Sequence, residues 1–459
     1  MDLVVIGGGV GGYVAALSAA GKGASVTLVE KDLAGGTCLN RGCIPTKAIL
    51  HSAHAYHHAQ KSFPGMGINL EGISLDFGAV MGNKDRIVAK LRGGVEYLLK
   101  KNGVKVINGE ASFNDARDIL VATSGGSLTL SADAVLIATG SKPAGLPFAE
   151  FDGTRILSSD HVLQMTEKPS SLAIVGGGVI GCEFAQAFAR LGVRVSIVEM
   201  LPRLIANMDP VQSSLMARVL KRERVGVFTG RTVTGVDVSP AGINLSFTDA
   251  SGTKDEIEAD KLVVAAGRTP CSGRLGLEKA GVAISPKGFI EVDQGMRTNV
   301  PGIFAAGDVT GKMQLAHVAS RQAMVAVENM FGGDAEMCYD AVPQCVYTDP
   351  ELASIGKVEA AVGPVSVKTG MFPASANGRS LIEGATDGFS KVIIDSDSRA
   401  VLGVHLAGPN VTEMISGMAG TILWESTPED MHSFIYAHPS VSEMIHESFL
   451  DVDGMAIHV

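Results

Sequence analysis

The sequence predicts an α/β fold in which two similar domains, each built on a parallel sheet, occupy one chain of 459 residues. Three observations lead to this prediction. A glycine-rich segment near the start recurs further along the chain, and an apolar strand followed by a glycine turn also occurs twice. The length is sufficient for roughly two to four domains with a sizeable core.

The glycine-rich repeat aligns residues 4–30, VVIGGGVGGYVAALSAAGKGASVTLVE, with residues 173–199, AIVGGGVIGCEFAQAFARLGVRVSIVE, without a gap. Each copy contains an apolar strand, a glycine turn, a helical segment without proline and a second strand that ends in Glu. This pattern is the fingerprint of a Rossmann-like βαβ unit that binds a dinucleotide. One copy alone is weak evidence, but two copies in the same register predict two dinucleotide sites.

The glycines of each copy have separate tasks. The first permits the turn, the second lets the backbone approach a pyrophosphate, and the third packs the helix against the strand. The phosphates then lie at a helix N-terminus, where free N–H groups and the helix dipole favour negative charge. The residues concerned are Gly7, Gly9 and Gly12 in the first copy and Gly176, Gly178 and Gly181 in the second.

The acidic residue that ends each copy indicates which nucleotide is bound. Glu30 and Glu199 stand where a carboxylate can accept hydrogen bonds from ribose hydroxyls. Because a carboxylate also repels a 2′-phosphate, Glu199 predicts NAD rather than NADP at the second site.

A second repeat supports the first. Residues 133–143, DAVLIATGSKP, parallel residues 260–270, DKLVVAAGRTP, and each reads as a buried strand that runs into a glycine turn and then a proline. We expect each copy to return the chain to its own sheet and to close one nucleotide-binding domain. A third segment, residues 298–309, contains the strand IFAAGD, which ends on Asp308.

Composition excludes several classes of function. The net charge of −10 and the pI near 5.6 argue against a nucleic-acid partner. No apolar run has the ~18 residues that a membrane span requires, and the chain opens directly on a strand. We therefore expect a cytoplasmic protein without a membrane partner. Six cysteines are too few for a secreted disulfide scaffold of this length.

Two of the six cysteines lie close together, in residues 35–47, GGTCLNRGCIPTK. Cys38 and Cys43 have four residues between them. Such a pair is a structural disulfide, half of a metal site or a redox device. The spacing alone does not decide among these three.

These motifs resemble those of the flavin disulfide oxidoreductases, the class I pyridine nucleotide-disulfide oxidoreductase family. The cysteine motif, the two fingerprints, the turn at 138–140, GIFAAGD and AHPSVSE at 437–443 occur in the order typical of that family. The similarity is greatest to its dihydrolipoamide dehydrogenase branch, E3, and covers essentially the whole chain. It implies four domains: FAD-binding at 1–147, NAD-binding at 148–267, a central domain at 268–338 that completes the FAD site, and an α+β dimerisation domain at 339–459.

The resemblance also implies which residues act. The cysteine pair becomes a redox-active disulfide, with Cys38 as the interchange thiol and Cys43 against the flavin. His438 is the base, Glu443 orients it, and Lys47 pairs with Glu183 near the flavin ring. The implied FAD residues are Gly7, Gly9, Gly12, Glu30, Lys47, Thr139, Gly140 and Asp308, and the implied NAD residues are Gly176, Gly178, Gly181, Glu199 and Gly267.

The function implied is the oxidation of protein-bound dihydrolipoamide to lipoamide, with NAD⁺ as acceptor. The active form is a homodimer, since His438 comes from the second subunit in this family. The partner is a lipoyl-bearing protein, either the E2 of a 2-oxo acid dehydrogenase complex or the H protein of glycine cleavage. Two alternatives stay open: another disulfide reductase resembling glutathione or mercuric reductase, and a flavin redox sensor or docking subunit with low turnover.

Two features of the cysteine region lie outside this pattern. Arg41 stands between the cysteines, where the family more often has a small apolar residue; it either lowers the pKa of a thiol or faces solvent. The segment 51–63 has four histidines, at positions 51, 54, 57 and 58. We interpret it as an amphipathic helix that follows a short, solvent-reachable redox loop, with the histidines on its solvent side rather than on a metal.

Overall fold

The computed structural model describes residues 1–363 and 365–458. In its first part, two strands and four helices are followed by six strands. The elements are β1 (Asp2–Ile6), α1 (Val10–Gly21), β2 (Ser25–Glu30), α2 (Gly36–Arg41), α3 (Cys43–Lys61), α4 (Phe77–Lys101), β3 (Lys105–Asn108), β4 (Glu110–Phe113), β5 (Asp118–Thr123), β6 (Gly126–Ser131), β7 (Ala134–Ile137) and β8 (Ser141–Pro143).

The second part has a similar plan. Its elements are β9 (Ile156–Ser158), α5 (Ser159–Val162), β10 (Ser171–Val175), α6 (Val179–Arg190), β11 (Arg194–Glu199), α7 (Pro210–Arg222), β12 (Gly226–Thr229), β13 (Thr232–Ser239), β14 (Gly242–Thr248), β15 (Lys254–Ala259), β16 (Lys261–Val264) and β17 (Arg268–Pro270).

The remaining elements form a connecting region and a second kind of sheet. They are α8 (Leu277–Ala280), β18 (Ile303–Ala305), α9 (Ala316–Met330), β19 (Gln344–Val346), β20 (Glu351–Gly356), β21 (Val367–Pro373), α10 (Gly378–Ile382), β22 (Phe389–Asp395), β23 (Val401–Gly408), α11 (Val411–Met414), α12 (Ala419–Leu423), α13 (Pro428–His432) and α14 (Glu443–Asp451).

Two five-stranded parallel sheets confirm the predicted fold class. Their strand orders are β3-β2-β1-β7-β18 and β12-β11-β10-β16-β9. The first strand of each fingerprint lies in the middle of its sheet, so it is buried on both faces and reads as a continuous apolar run. Burying each such Val, Leu or Ile contributes roughly 1.5–3 kcal/mol, which explains why these strands tolerate so few polar residues.

The fifth strand of the first sheet comes from the distant segment around GIFAAGD. In β18, Ile303 and Phe304 pair in parallel with Val135 and Leu136 of β7. The strand ends at Ala305 rather than on Asp308 as predicted, and Asp308 begins a short 3₁₀ helix three residues later. The predicted strand therefore exists, and it brings Asp308 to the edge of the sheet where the first fingerprint turns.

The turns that follow β7 and β16 meet each other. Beyond the turns, β8 and β17 form an antiparallel pair in which Lys142 lies opposite Thr269. The second repeat was expected to close each domain separately. As expected, β7 pairs with β1 and β16 pairs with β10, each in its own sheet, and the two copies also connect the two parallel sheets through this short ladder.

The last part of the chain is an α+β unit, as expected. Its five-stranded antiparallel sheet has the order β19-β20-β23-β22-β21, and α14 packs on β21 and β22. Gln212 of α7 donates to the backbone oxygens of Ala353 and Leu406, which ties this sheet to the second nucleotide-binding region. Within residues 1–363 and 365–458, no helix has the length and apolarity needed to cross a bilayer.

Candidate active site

The cysteine pair lies on two helices, so the predicted redox loop is wrong. Cys38 is in the short helix α2, and Cys43 is the first residue of the long helix α3. Gly35 and Gly36, both with positive φ, turn the chain into α2, and Gly42 separates the two helices. The interruption at Gly42 takes α3 out of the register of α2, and the thiols of Cys38 and Cys43 form a hydrogen bond across it.

The two thiols, both free in the structure, differ strongly in acidity. The pKa of Cys43 is lowered to about 7, mainly by a hydrogen bond from Cys38 and further by the charge of Lys47. The pKa of Cys38 is raised, because it is the donor in that bond and is also buried. The N-terminus of α3 favours a thiolate on its first residue. At neutral pH the negative charge therefore lies on Cys43.

Lys47 lies one helical turn after Cys43 and binds a carboxylate from the second fingerprint. Its Nζ is 2.9 and 2.7 Å from the two carboxylate oxygens of Glu183. Glu183 is 1% exposed, and it also accepts a hydrogen bond from the backbone N–H of Tyr347 at 3.0 Å. The structure thus brings together the predicted Lys47–Glu183 pair; its role near a flavin stays a prediction.

Tyr347 is a residue that the sequence reasoning missed. Its ring centre lies 4.7 Å from Nζ of Lys47, within the range of a cation–π contact. It precedes β20, far along the chain from either fingerprint. The only available signal was an aromatic residue in the segment CVYTDP, which is too weak to assign a site.

The glycine turn of the first fingerprint is closely covered. A Cβ on Gly7, which has a φ of 102°, would lie 2.4 Å from the carbonyl oxygen of Ala138. A Cβ on Gly36 would lie 2.5 Å from the Cα of Gly9. The segment that contains Cys38 therefore packs backbone against backbone on this turn, in a way that side chains would prevent.

The acidic residue of each fingerprint forms hydrogen bonds with the backbone around its own glycine turn. Glu30 accepts from the N–H groups of Gly8 and Asp32 at 2.5 and 2.8 Å. Glu199 accepts from Gly177 and Leu201 at 2.5 and 2.7 Å. Burial raises the pKa of Glu30, although these N–H groups oppose the shift. The predicted contacts of both carboxylates with ribose stay predictions.

The groups around the first turn fit a dinucleotide such as FAD. A cavity of about 570 Å³ is lined by Gly7, Glu30, Thr139 and Arg274. Thr139 Oγ1 is buried without a hydrogen-bond partner among the described residues, as expected for a group that meets a ligand. Gly140 has positive φ in the same turn. Gly12 fits the packing role, since a Cβ there would lie 1.7 Å from the oxygen of Gly7.

Asp308 lies beside this cavity and has protein partners. Its Oδ2 accepts a hydrogen bond from Ser141 Oγ at 2.5 Å and lies 3.6 Å from Nε of Arg268. The contacts connect β18 to the β8–β17 ladder. A role toward ribityl hydroxyls stays a prediction.

The second turn has the same backbone plan. Gly176 has a φ of 110°, and a Cβ on Gly181 would lie 1.9 Å from the oxygen of Gly176. A Cβ on Gly178 would meet no atom within 4 Å. Gly267 follows β16 with a φ of 121°. These residues lie at the carboxyl edge of the second sheet, where parallel sheets bind nucleotides.

His438 and Glu443 form a hydrogen-bonded pair at the start of α14. Nδ1 of His438 is 2.9 Å from Oε1 of Glu443, and the N–H of Ser440 donates to Oε2 at 2.8 Å. Burial opposes ionisation of Glu443, but these two hydrogen bonds outweigh it and lower the pKa of Glu443. The side chain of His438 is 80% exposed in the single chain. The structure brings this pair together but not next to the cysteines of the same chain.

Arg41 is partly exposed, in line with the solvent-facing alternative, and it is not among the main influences on the pKa of Cys38 or Cys43. Its Nη2 donates to a carboxylate oxygen of Asp32, which follows β2. The guanidinium is therefore held by a carboxylate, and it is not a free surface cation.

The expected orientation of the histidines on α3 is also wrong. His51 is exposed, but His57 and His58 line a cleft of about 640 Å³, and Nε2 of His58 is 3.2 Å from Asp349 Oδ2. Burial and the charge of Arg190 lower the pKa of His54 to about 4. The reason is that α3 packs on α6, which carries Arg190. No group of three or more metal-ligating side chains occurs in the described part of the chain.

Comparison with protein families identifies two matches. The description "Pyridine nucleotide-disulphide oxidoreductase" fits residues 1–323, and the dimerisation domain of the same group fits residues 342–449.

Comparison with individual proteins agrees with these matches. The dihydrolipoyl dehydrogenases of Bacillus subtilis and Geobacillus stearothermophilus are 42% and 39% identical to the chain, over all of it and over 100% and 97% of their own lengths. The mitochondrial dihydrolipoyl dehydrogenase of Pisum sativum is 39% identical over 100% of this chain and 92% of its own. Among solved structures, LpdA from Mycobacterium tuberculosis has a TM-score of 0.91 at 27% identity, covering 98% of this chain and 99% of its own.

Proposed function

The chain belongs to the pyridine nucleotide-disulphide oxidoreductase family, and on that basis we propose that it oxidises protein-bound dihydrolipoamide with NAD⁺. It is an oxidoreductase that binds FAD and NAD. The observation that supports the proposal most is the asymmetric thiol pair, in which the thiolate on Cys43 lies one turn from Lys47. A sensor or docking subunit has no need of so acidic a thiol next to a buried Lys–Glu pair.

The acidity difference assigns the two sulfurs in the oxidised, disulfide-bonded enzyme. A thiolate that attacks a disulfide displaces the sulfur with the lower pKa more readily. Cys43 is therefore the leaving group, and the substrate thiolate attacks Cys38. A mixed disulfide between Cys38 and the substrate forms, and Cys43 is released as a thiolate that Lys47 stabilises.

The second half of the exchange completes the substrate ring. The second substrate thiol attacks the substrate sulfur of the mixed disulfide, lipoamide leaves, and Cys38 departs as a thiol after taking a proton. The base His438 accepts the proton of the first substrate thiol, and Glu443 fixes its Nδ1, so that Nε2 accepts. Bound FAD supplies the two-electron path from the Cys43 thiolate to NAD⁺. Overall, dihydrolipoamide and NAD⁺ give lipoamide, NADH and one proton.

The proposal includes a homodimer, since the chain carries a dimerisation domain. In that dimer, the exposed His438 of one copy serves the cysteine pair of the other. A lipoyl-bearing protein, either an E2 component or a glycine cleavage H protein, is the proposed carrier of the substrate. The cytoplasmic location expected from the sequence is part of the same proposal.

Side-by-side kinetics test the proposal. The purified protein is assayed with dihydrolipoamide and NAD⁺, with glutathione disulfide and NADPH, and with Hg(II) and NADPH. We expect rapid NADH formation in the first assay and slow turnover in the other two. A protein that binds FAD but reduces no NAD⁺ with dihydrolipoamide would be a sensor or docking subunit, and fast reduction of glutathione disulfide would identify the other alternative.

A further inference from the structure

Helix α14 carries a second imidazole–carboxylate pair beside the first. Nδ1 of His458 is 2.6 Å from Oε1 of Glu447. In both pairs the imidazole bonds its carboxylate through Nδ1, and both imidazoles are largely exposed, at 80% for His438 and 70% for His458. The proposed mechanism uses only the first pair.

The carboxylate of the second pair is more deeply buried than that of the first. Glu447 is 5% exposed, and its other oxygen accepts the backbone N–H of Ile457 at 2.8 Å. Burial opposes ionisation of Glu447, but the hydrogen bonds from His458 and from this backbone lower its pKa overall. The chain after α14 thus folds back to place an imidazole on a buried carboxylate.

The two pairs are close enough to interact. Glu443 and Glu447 are four residues apart in one helix, and such residues have Cβ atoms roughly 5–6 Å apart on the same face. The charge of His458 is one of the influences that lower the pKa of Glu443. His458 therefore acts on the carboxylate that orients the base.

Other titratable and charged groups lie on α14 and on the elements around it. Asp451 accepts the N–H of Met371 in β21, while Arg399 binds both Asp453 and Glu429. Lys368 of β21 and His432 of α13 also act on Asp453. In β22, Lys391 binds Asp209 and Glu359, and the rings of Tyr436 and His446 contact each other at a tilt of 50°. In the proposed homodimer the second copy adds its cysteine pair on the far side of His438.

We propose that His458 is a positioning residue of the active site, which acts through the neighbouring carboxylates on the proton-accepting imidazole of His438. This inference rests on the proposed function of His438. His458 compensates part of the negative charge that Glu447 and Glu443 place beside His438. Removing that compensation leaves more negative potential at His438 and makes it release its proton at higher pH.

The test compares His458→Asn, which retains a donor for Glu447 but cannot be protonated, with Met455→Ala, which alters the same segment without changing its charge. Two readouts are used on the holoenzyme. One is the pH profile of kcat/KM for dihydrolipoamide, and the other is the pH dependence of diethyl pyrocarbonate acylation at His438, followed by peptide mass spectrometry. The second needs no turnover, so it separates this inference from the proposed function.

For His458→Asn we expect both midpoints to move up by about half a pH unit, as a charge change at this distance implies, with kcat at the optimum changed less than twofold. For Met455→Ala we expect no movement. Superimposable acylation profiles in wild type and His458→Asn would overturn the inference even if the enzyme is fully active. A shift of equal size in Met455→Ala would also overturn it, because a loosened segment would then explain the effect.

Discussion

The two fingerprint turns share a backbone but differ in what covers them. In both, a Glu at the strand end accepts one N–H from the glycine turn and one from the residue two positions after the Glu. In the first, the backbone of Gly36 lies against Gly9, whereas in the second the side chain of Leu204 lies over Gly177 and the space at Gly178 is open. A covered turn suits a nucleotide that is bound permanently, and an open turn suits one that enters and leaves. This difference agrees with the proposed assignment of FAD to the first turn and NAD to the second.

The helices of the two fingerprints have also diverged. Glu183 of α6 aligns with Val14 of α1 in the gapless repeat. Val14 packs within the first domain. The carboxylate of Glu183 instead binds Lys47 of α3, which belongs to the other domain. The second domain therefore contributes a charge to the first, in addition to its own nucleotide turn.

The largest effect is expected from removing the thiolate of Cys43, which tests whether turnover depends on the cysteine pair beside the first turn. Cys43→Ser removes the thiolate, and we expect dihydrolipoamide turnover to fall at least about 10³-fold, as when a nucleophile is lost from a catalytic set. Cys338→Ser, at an exposed thiol, should retain full activity. The measurement is NADH formation at saturating substrate, and substantial residual activity in the first variant would exclude the proposed relay.

Alanine at each turn should separate the covered site from the open one. Gly36→Ala places a Cβ against Gly9 at a positive φ, so we expect purified protein with at least about tenfold less retained FAD. Gly178→Ala meets no protein atom, so FAD should be retained while the KM for NAD⁺ rises by about tenfold. FAD absorbance and steady-state kinetics measure the two effects, and identical behaviour of the variants would refute the distinction.

Removing the charge of Lys47 or of Glu183 should show how each of them affects the pKa of Cys43. Since Lys47 lowers the pKa of Cys43 and Glu183 raises it, Lys47→Met should move the pKa above about 7, by roughly one unit, and Glu183→Gln should move it below. The pH dependence of iodoacetamide alkylation at Cys43 reports both shifts. Shifts of the same sign in the two variants would contradict this electrostatic account.

Glu199 should determine the specificity of the second turn for NADH over NADPH. Because its carboxylate repels a 2′-phosphate, Glu199→Gln should raise the ratio of kcat/KM for NADPH to that for NADH by about tenfold. Glu30→Gln is the matched change at the first turn, and it should leave this ratio unaltered. Equal use of NADH and NADPH by the wild type would refute the assignment.

The smallest effect is expected at Arg41. Since its guanidinium is bound to Asp32, Arg41→Val should leave the alkylation midpoint of Cys43 within about 0.3 pH units of wild type, as for an exposed ion pair. A shift as large as that of Lys47→Met would show that Arg41 acts on the thiol after all.

Much of the candidate site was accessible from the sequence because its signals are local. The strand, glycine turn, helix and final Glu of each fingerprint lie within one short segment, and their spacing follows from backbone geometry alone. The pairing of His438 with Glu443 is likewise local. The family resemblance added the Lys47–Glu183 contact, which no spacing rule contains.

What the sequence by itself determined was the pair of βαβ units, their parallel sheets and the nature of the residues at their turns. Only the tertiary structure decided that β18 joins the first sheet, that β8 pairs with β17, and that Arg41 meets Asp32. It alone placed His54 near Arg190 of the second domain and His58 against Asp349 of the last part of the chain. The physical reason is that local patterns fix which face of an element is apolar, whereas contacts between distant segments depend on how whole elements pack and on which charges that packing brings together.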